Sequence, residues 1–279
     1  VHLNFPLADV TIEQTSNKIE VETALYDDGF YRLNQTEFSM DVPGVGWFYA
    51  ANGNYINAVL DPKATKPAVE LYLNGSAYGA ILHQRCLLPL HGSSFVYRNK
   101  GIMLCGESGA GKSSLTAAFC KDGSAFLTDD VSPLTFNDHI PYILPLSDRI
   151  KLWQDSLEQL YYDKKQLTEI WQDYSKYYLP VKPKSVNSHV LDIIFIIEKH
   201  KNSEVVMEEV QGMNKFEQLR NEIYRWEYLQ GMKGTEADYL HKIIDLNLHV
   251  KVIKVRRPED IKIKEMKNEL TAFIDAGAT

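Results

Sequence analysis

The stretch LCGESGAGKSSLTAAF, 104–119, sets glycines, a lysine and serines at the spacing G-x-x-x-x-G-K-S. Gly106, Glu107, Ser108, Gly109, Ala110, Gly111, Lys112 and Ser113 make up the pattern, and Ser114 follows it. Each residue type has a task if the ligand is a chain of phosphates. Glycines let backbone N–H groups turn inward and form an anion nest. A helix starting at Lys112 would aim its positive end at the same anion. The lysine ammonium reaches the outer phosphates, and the Ser113 hydroxyl suits Mg²⁺. Ser114 either caps the turn or touches the innermost phosphate. The competing reading is a chance match. Against it, the apolar run GIMLC (101–105) precedes the pattern and a good helix-forming run follows, the setting this chemistry requires.

A second acidic element comes soon after. The apolar run AFLT (125–128) ends in Asp129 and Asp130, leaving room for one helix and one return strand after Lys112. Both carboxylates should therefore emerge beside the phosphate loop. There a carboxylate holds Mg²⁺ or takes a proton from an attacking hydroxyl. The plainer reading is a turn or a cap, where paired aspartates are common. His91, in LPLHGSS, lies fifteen residues before Gly106 at the end of an expected strand. A lone histidine is more often structural than catalytic.

The elements that would position these groups follow from patterning. The first 86 residues are rich in β-prone runs, GWFYA, GNYINAVL and AVELYLNG, bounded by turn signals such as Asn52-Gly53 and Asn74-Gly75. They read as a β-rich N-terminal subdomain, 1–86, before a phosphate-binding domain over 87–279. AYGAILHQRC (77–86) reads as a helix, and a further helix is expected over 112–121, stopped near Gly123. Residues 155–178 carry apolar positions at helical spacing and predict one long helix. VLDIIFIIE (190–198) is a buried strand by length, too short for the ~20 residues of a membrane span. Helices are expected over 214–231 and 236–247, a strand over 249–257, with KVIKVRRPED (251–260) read as an edge strand with solvated charges, and a closing helix over 258–275 with Pro258 near its start. The fold class is α/β, in the broad sense that includes α+β.

Composition limits the partners. The 279 residues have a formal net charge of −7 and 44% hydrophobic content, which suits a folded core and argues against a general nucleic-acid binder. Cys86, Cys105 and Cys120 lack metal-ligand spacing and point to a reducing, cytoplasmic setting. No signal peptide and no membrane partner are read.

His91-Gly92, GESGAGKS (106–113) and LTDDV (127–131) together resemble the catalytic domain of HPr kinase/phosphorylase and its relatives. The spacings match without gaps over 87–131, while the remainder agrees only in general texture. The resemblance implies a fold related to phosphoenolpyruvate carboxykinase, and phosphorylation of a protein serine by ATP, or another nucleoside triphosphate, with Mg²⁺. It implies that Lys112 binds the outer phosphates, Ser113 the metal, and Asp130 the serine proton. Asp129 would support the metal or the lysine, and His91 would sit near the γ-phosphate. One departure matters. Where the family has Glu-Ile-Arg-Gly, this chain has SDRIKLWQDSLEQL (147–160), with Arg149 and Lys151 as substitute cations and Asp148 or Asp155 as a carboxylate. That departure makes phosphorolysis doubtful and fits the broader group of HPr-kinase-like serine kinases. Some of these act on peptides, including lasso-peptide precursors. The substrate expected is a protein or peptide, and a homo-oligomer stays open. Two alternatives stand beside it: a metabolite kinase of the same fold, or a nucleotide-binding regulatory module without transfer.

Other features have two readings each. Lys176, Lys182 and Lys184 are either solvated charges or cations on a mobile lid. Arg220 and Arg225 are either surface charges or phosphate clamps. Trp153, Trp171, Tyr174, Trp226 and Tyr228 read mostly as core by spacing.

Overall fold

The computed structural model describes residues 3–171, 175–181 and 187–277. Tyr174, Lys182 and Lys184 lie outside the described residues. Strands and helices are mixed throughout. Contacts divide the chain into two compact units, one of residues up to Pro89 with Ile223–Ile243, the other of Leu90–Glu222 with the residues from Ile244 onward.

The first unit carries a six-stranded sheet in the order β1-β6-β5-β4-β3-β2. Its strands are β1 (Thr11–Gln14), β2 (Tyr26–Asp27), β3 (Tyr31–Leu33), β4 (Glu37–Val42), β5 (Gly46–Ala51) and β6 (Tyr55–Leu60). All neighbours are antiparallel except β1 and β6, which are parallel. Asn52 and Gly53, read as a turn, take left-handed φ values of 54° and 72° between β5 and β6. AVELYLNG is not a strand. It belongs to α1 (Lys66–Tyr72) and a π-helical turn, Leu73–Ala77, that runs into α2 (Tyr78–Gln84). The Thr65 hydroxyl accepts from Ala68 N–H and a proline occupies the first turn, an N-terminal signal stronger than the β-propensity of the run.

The short strand β7 (Leu88–Leu90) carries the chain from one unit to the other. The second unit is built on β8 (Gly92–Tyr97), β9 (Lys100–Cys105), β10 (Ala125–Thr128) and the long β16 (His189–His200), in the order β10-β8-β9-β16. β11 (Ser132–Asn137) pairs with β12 (Ile140–Ile143), which reaches the start of β16. β18 (Lys251–Pro258) lies parallel to β16, and β17 (Val206–Glu209) antiparallel to β18. A separate three-stranded sheet has the order β13-β15-β14, from β13 (Arg149–Trp153), β14 (Thr168–Trp171) and β15 (Lys176–Pro180).

Helices α3 (Lys112–Lys121) and α7 (Ile263–Ala276) cover one face of the larger sheet. Leu115 and Phe119 of α3 and Met266, Leu270 and Ile274 of α7 pack on Leu104, Phe195 and Ile253. Met103, Ile194 and Val252, pointing the other way, are also fully buried. The central strands therefore read as unbroken apolar runs rather than alternating ones. A second cluster joins Ala117 and Ala118 of α3 to Ile150, Leu152 and Leu179 of the small sheet. The remaining helices are α4 (Gln154–Gln159), α5 (Gly212–Asn221) and α6 (Lys233–His249). No helix among the described residues is long and apolar enough to cross a membrane.

Several expectations are corrected. The long helix over 155–178 does not form. α4 ends at Gln159, Tyr161 turns with φ 56°, and the Asp163 carboxylate accepts from Lys165 N–H in a 3₁₀ turn. β14 and β15 then pair antiparallel, so strand pairing overrides helical spacing. The helix expected over 214–231 stops at Asn221. Glu222 C=O accepts from His91 N–H at 2.7 Å, Tyr224 N–H donates to Pro89 C=O, and Arg225 adopts φ 54°. The strand expected over 249–257 forms as β18, but the 251–260 run is not an edge strand, because β16 and β17 flank it. Pro258 ends that strand instead of opening the last helix, which starts at Ile263. Of the aromatics expected in the core, Tyr228 is fully buried, whereas Trp153 and Trp226 are exposed.

Candidate active site

β9, β16 and β18 run parallel, and β8 is antiparallel to both β9 and β10, so β10 shares the direction of β9. Their carboxyl ends meet at one edge, where ligands of open α/β sheets bind. The register fixes which residues arrive there. Gly92 pairs with Cys105, which brings His91 beside the start of the glycine loop. Ser94 pairs with Thr128, which brings Asp129 and Asp130 to the same edge. Lys199 pairs with Arg257 one strand further on. Buried hydroxyls lock the β8–β10 contact: Ser94 Oγ lies 2.6 Å from Thr128 Oγ1, which lies 2.5 Å from Ser132 Oγ.

The loop between β9 and α3 needs its glycines. Gly106, Gly109 and Gly111 have φ of 123°, 82° and 105°. At Gly106 a Cβ would also stand 2.3 Å from the carbonyl oxygen of Ile197. The Gly106 N–H donates to a Glu222 carboxylate oxygen at 3.3 Å, and burial raises the pKa of Glu222. Lys112 is buried and folds back on its own loop, with Nζ donating to Gly106 O at 2.6 Å and Glu107 O at 3.1 Å. A phosphate would replace these neutral acceptors with a charged one, the stronger kind of hydrogen bond.

The two aspartates differ sharply. Asp129 is buried, and its Oδ2 accepts from Lys151 N–H at 2.7 Å. Burial, with the neighbouring Asp130 charge, raises its pKa. The Ser113 and Ser93 hydroxyls face this carboxylate and pull the other way, yet Oδ1 has no donor in hydrogen-bond geometry. Asp130 sits at the tip of a three-residue turn, φ 72°, closed by Val131 N–H to Asp129 O at 2.9 Å. Its Oδ2 accepts from Lys151 Nζ at 2.6 Å. Burial alone would raise Asp130, but the Lys151 ammonium outweighs it, with His91 and Lys112 adding to the effect, and holds the pKa at about 2.

These groups border a cavity of about 320 Å³ in the second unit. Of the residues expected from sequence, His91, Ser108, Gly109, Gly111, Lys112, Ser113, Ser114 and Asp130 line it. Gly106 and Ala110 are buried within the loop, Glu107 supplies a carbonyl to Lys112, and Asp129 is buried and does not line the cavity, its carboxylate accepting from Lys151 N–H. Lys151, Asp155 and Lys176 line the cavity too, whereas Asp148 is exposed and does not. Arg220 is exposed. Arg225 contacts Ser76 and the Tyr31 and Tyr224 rings within the first unit.

Lys199, Arg257 and Glu259 line the cavity but were not singled out in the sequence. Arg257, expected to be solvated, is buried, with Nε donating to Ala110 O at 2.9 Å, so it braces the glycine loop from β18. Its only sequence signal is the position at the end of an apolar strand.

Magnesium can be tested against these side chains. The described residues hold no cluster of three or more acidic, His or Cys ligands. Mg²⁺ in nucleotide sites does not need one, since it takes one or two protein oxygens beside phosphates and water. The unpartnered buried Oδ1 of Asp129, with the Ser113 hydroxyl facing that carboxylate, fits such a demand.

No known protein-family pattern matches the chain, and no curated protein does. Among solved structures, the HPr(Ser) kinase/phosphatase from Coxiella burnetii is similar over 68% of this chain and 99% of its own, at 14% identity and a TM-score of 0.36. A likeness that slight carries no inference about chemistry, which rests on the geometry above.

Proposed function

We propose that this chain is a phosphotransferase that moves the γ-phosphoryl group of ATP, or another nucleoside triphosphate, to a serine hydroxyl of a protein or peptide. The observation that carries the reading is the meeting of Lys112 and Asp130 on one cavity, across the ends of neighbouring strands. In the reaction the serine oxygen attacks the γ-phosphorus, the bond to the bridging oxygen breaks, and the diphosphate departs. The serine proton passes to the Asp130 carboxylate. With a pKa of about 2, Asp130 is ionised across the neutral range and is a weak base. That is sufficient for a loose transition state, in which the hydroxyl must be oriented early and deprotonated late. Lys112 and the loop N–H groups hold the phosphates, and Lys151 keeps Asp130 charged. Mg²⁺, held by Ser113 and Asp129 when bound, would neutralise phosphate charge.

The test is incubation with γ-labelled ATP, Mg²⁺ and a size-fractionated extract of the host cell. Wild-type protein is compared with Asp130→Asn. Acid-stable, alkali-labile label in a protein or peptide, lost with Asp130→Asn, is expected. Label only in small metabolites would make the chain a metabolite kinase. Nucleotide binding without any transfer would make it a regulatory module.

A further inference from the structure

The three-stranded sheet β13-β15-β14 has two unlike faces. Ile150, Leu152 and Leu179 point into the core. Arg149, Lys151 and Trp153 alternate with them and so share the other face. Directly opposite on β15 stand Tyr178, paired with Lys151, and Lys176, paired with Trp153. The Arg149 guanidinium lies 4.1 Å from the Tyr178 ring centre, and Lys176 Nζ lies 4.3 Å from that of Trp153. Trp153 is 40% exposed. Among the described side chains the result is a surface of three cations and two aromatic rings. Lys151, Trp153 and Lys176 continue from it into the cavity.

Among the described residues this face is basic, in a chain of net charge −7. Asp130, the carboxylate that meets it, is already bonded to Lys151. Asp155 lines the same cavity, and Glu169, paired with Tyr177, belongs to the opposite face by register. Arg149 and Lys176 are held by rings, an arrangement that keeps a cation in place while leaving its charge available. Burial and the nearby Lys151 ammonium both lower the pKa of Lys176, so an added negative charge there is favourable.

We infer that this face is the docking surface for the acceptor, and that it selects an acidic segment beside the serine. The inference rests on the phosphotransferase reading. An acceptor hydroxyl that reaches Asp130 must bring its flanking residues near Lys151, and along β13 and β15 those residues meet Arg149 and Lys176. Carboxylates on the segment pair with the cations, and its stems lie on the Trp153 and Tyr178 rings.

The test separates binding from transfer. Fluorescent peptides with a central serine flanked by glutamates, glutamines or lysines are titrated against the full chain by anisotropy, beside a single-stranded oligonucleotide. The same peptides are offered with γ-labelled ATP. The glutamate peptide should bind roughly tenfold more tightly than the glutamine one, with a strong salt dependence. Arg149→Gln should cut that preference several-fold with nucleotide affinity unchanged, and Arg149→Lys should retain most of it. Equal binding of glutamate and glutamine peptides, or a preference untouched by Arg149→Gln, would overturn the docking surface. So would an oligonucleotide bound as tightly as the glutamate peptide. An Arg149-dependent preference without label on any peptide would support the surface and count against the transfer reading. Label without a charge preference would do the reverse.

Discussion

Lys151→Met probes the electrostatics of the site most directly. The substitution keeps the backbone N–H that serves Asp129 and removes the ammonium 2.6 Å from Asp130. In the intact protein the Asp130 carboxyl falls from an ordinary 3.8 to about 2. That drop corresponds to ~2 kcal/mol. Lys151 and Asp130 are 26% and 31% exposed, so solvent screening trims the value to ~1–2 kcal/mol. Because the folded value is the lower one, this stabilisation is complete above the unfolded pKa of Asp130. It is lost as pH falls from about 4 through about 2. In the variant, burial remains the largest influence on Asp130, and the carboxyl should titrate above its ordinary value. Carboxyl ¹³C shifts of labelled aspartate give that midpoint directly, and urea unfolding from pH 7 down to pH 2 gives the energy. The variant should be less stable by at least ~1–2 kcal/mol at pH 7, with the gap narrowing toward pH 2. An Asp130 midpoint equal in both proteins, or a stability gap constant down to pH 2, would refute the assignment of Lys151 as the group that holds Asp130 ionised.

Two further substitutions test the loop and the buried carboxylate. Gly106→Ala should destabilise the protein by more than ~3 kcal/mol in urea and abolish nucleotide binding, because the new Cβ meets both φ 123° and the Ile197 carbonyl; a well-folded variant that binds nucleotide would show the loop to be more tolerant than its geometry implies. Asp129→Asn should leave stability at pH 7 equal or higher, since the raised pKa of Asp129 marks a charged form that burial disfavours, increasingly so as pH rises above its ordinary value. The same variant should lose nucleotide affinity only when Mg²⁺ is present, and a loss of equal size without Mg²⁺, by calorimetric titration, would remove Asp129 as a metal ligand.

What could be read in the sequence is what local chain geometry decides. The glycine loop follows a strand and opens a helix, so its spacing is a local signal, and α3 runs over the residues expected for it. The convergence of Asp129 and Asp130 with that loop needed only one helix and one return strand. His91 required one hairpin more, since β8 and β9 pair antiparallel through a tight turn at Arg98 and Asn99. Arg257 and Lys199 were not legible for the opposite reason. They meet the loop through parallel pairing of β9, β16 and β18, strands far apart in sequence, and no local pattern sets that register. The missing long helix has a similar cause. Its first apolar positions, Leu157 and Leu160, are buried in and just after the short α4, Tyr161 is exposed in the turn that follows, and Ile170 is buried on β14, which pairs with β15.

Asp130 carries the argument furthest. A non-glycine residue at φ 72°, in a turn closed over three residues, breaks a local rule that β10 and β11 on either side of it obey. The cost, of order 1 kcal/mol or more, is borne at the residue whose carboxylate lines the cavity. The left-handed turn presents the Asp130 carboxylate to the cavity and to Lys151, while Asp129 stays buried. Two adjacent and chemically identical residues thus acquire opposite pKa shifts, Asp129 raised chiefly by its burial and Asp130 lowered by the Lys151 ammonium that its turn lets it meet.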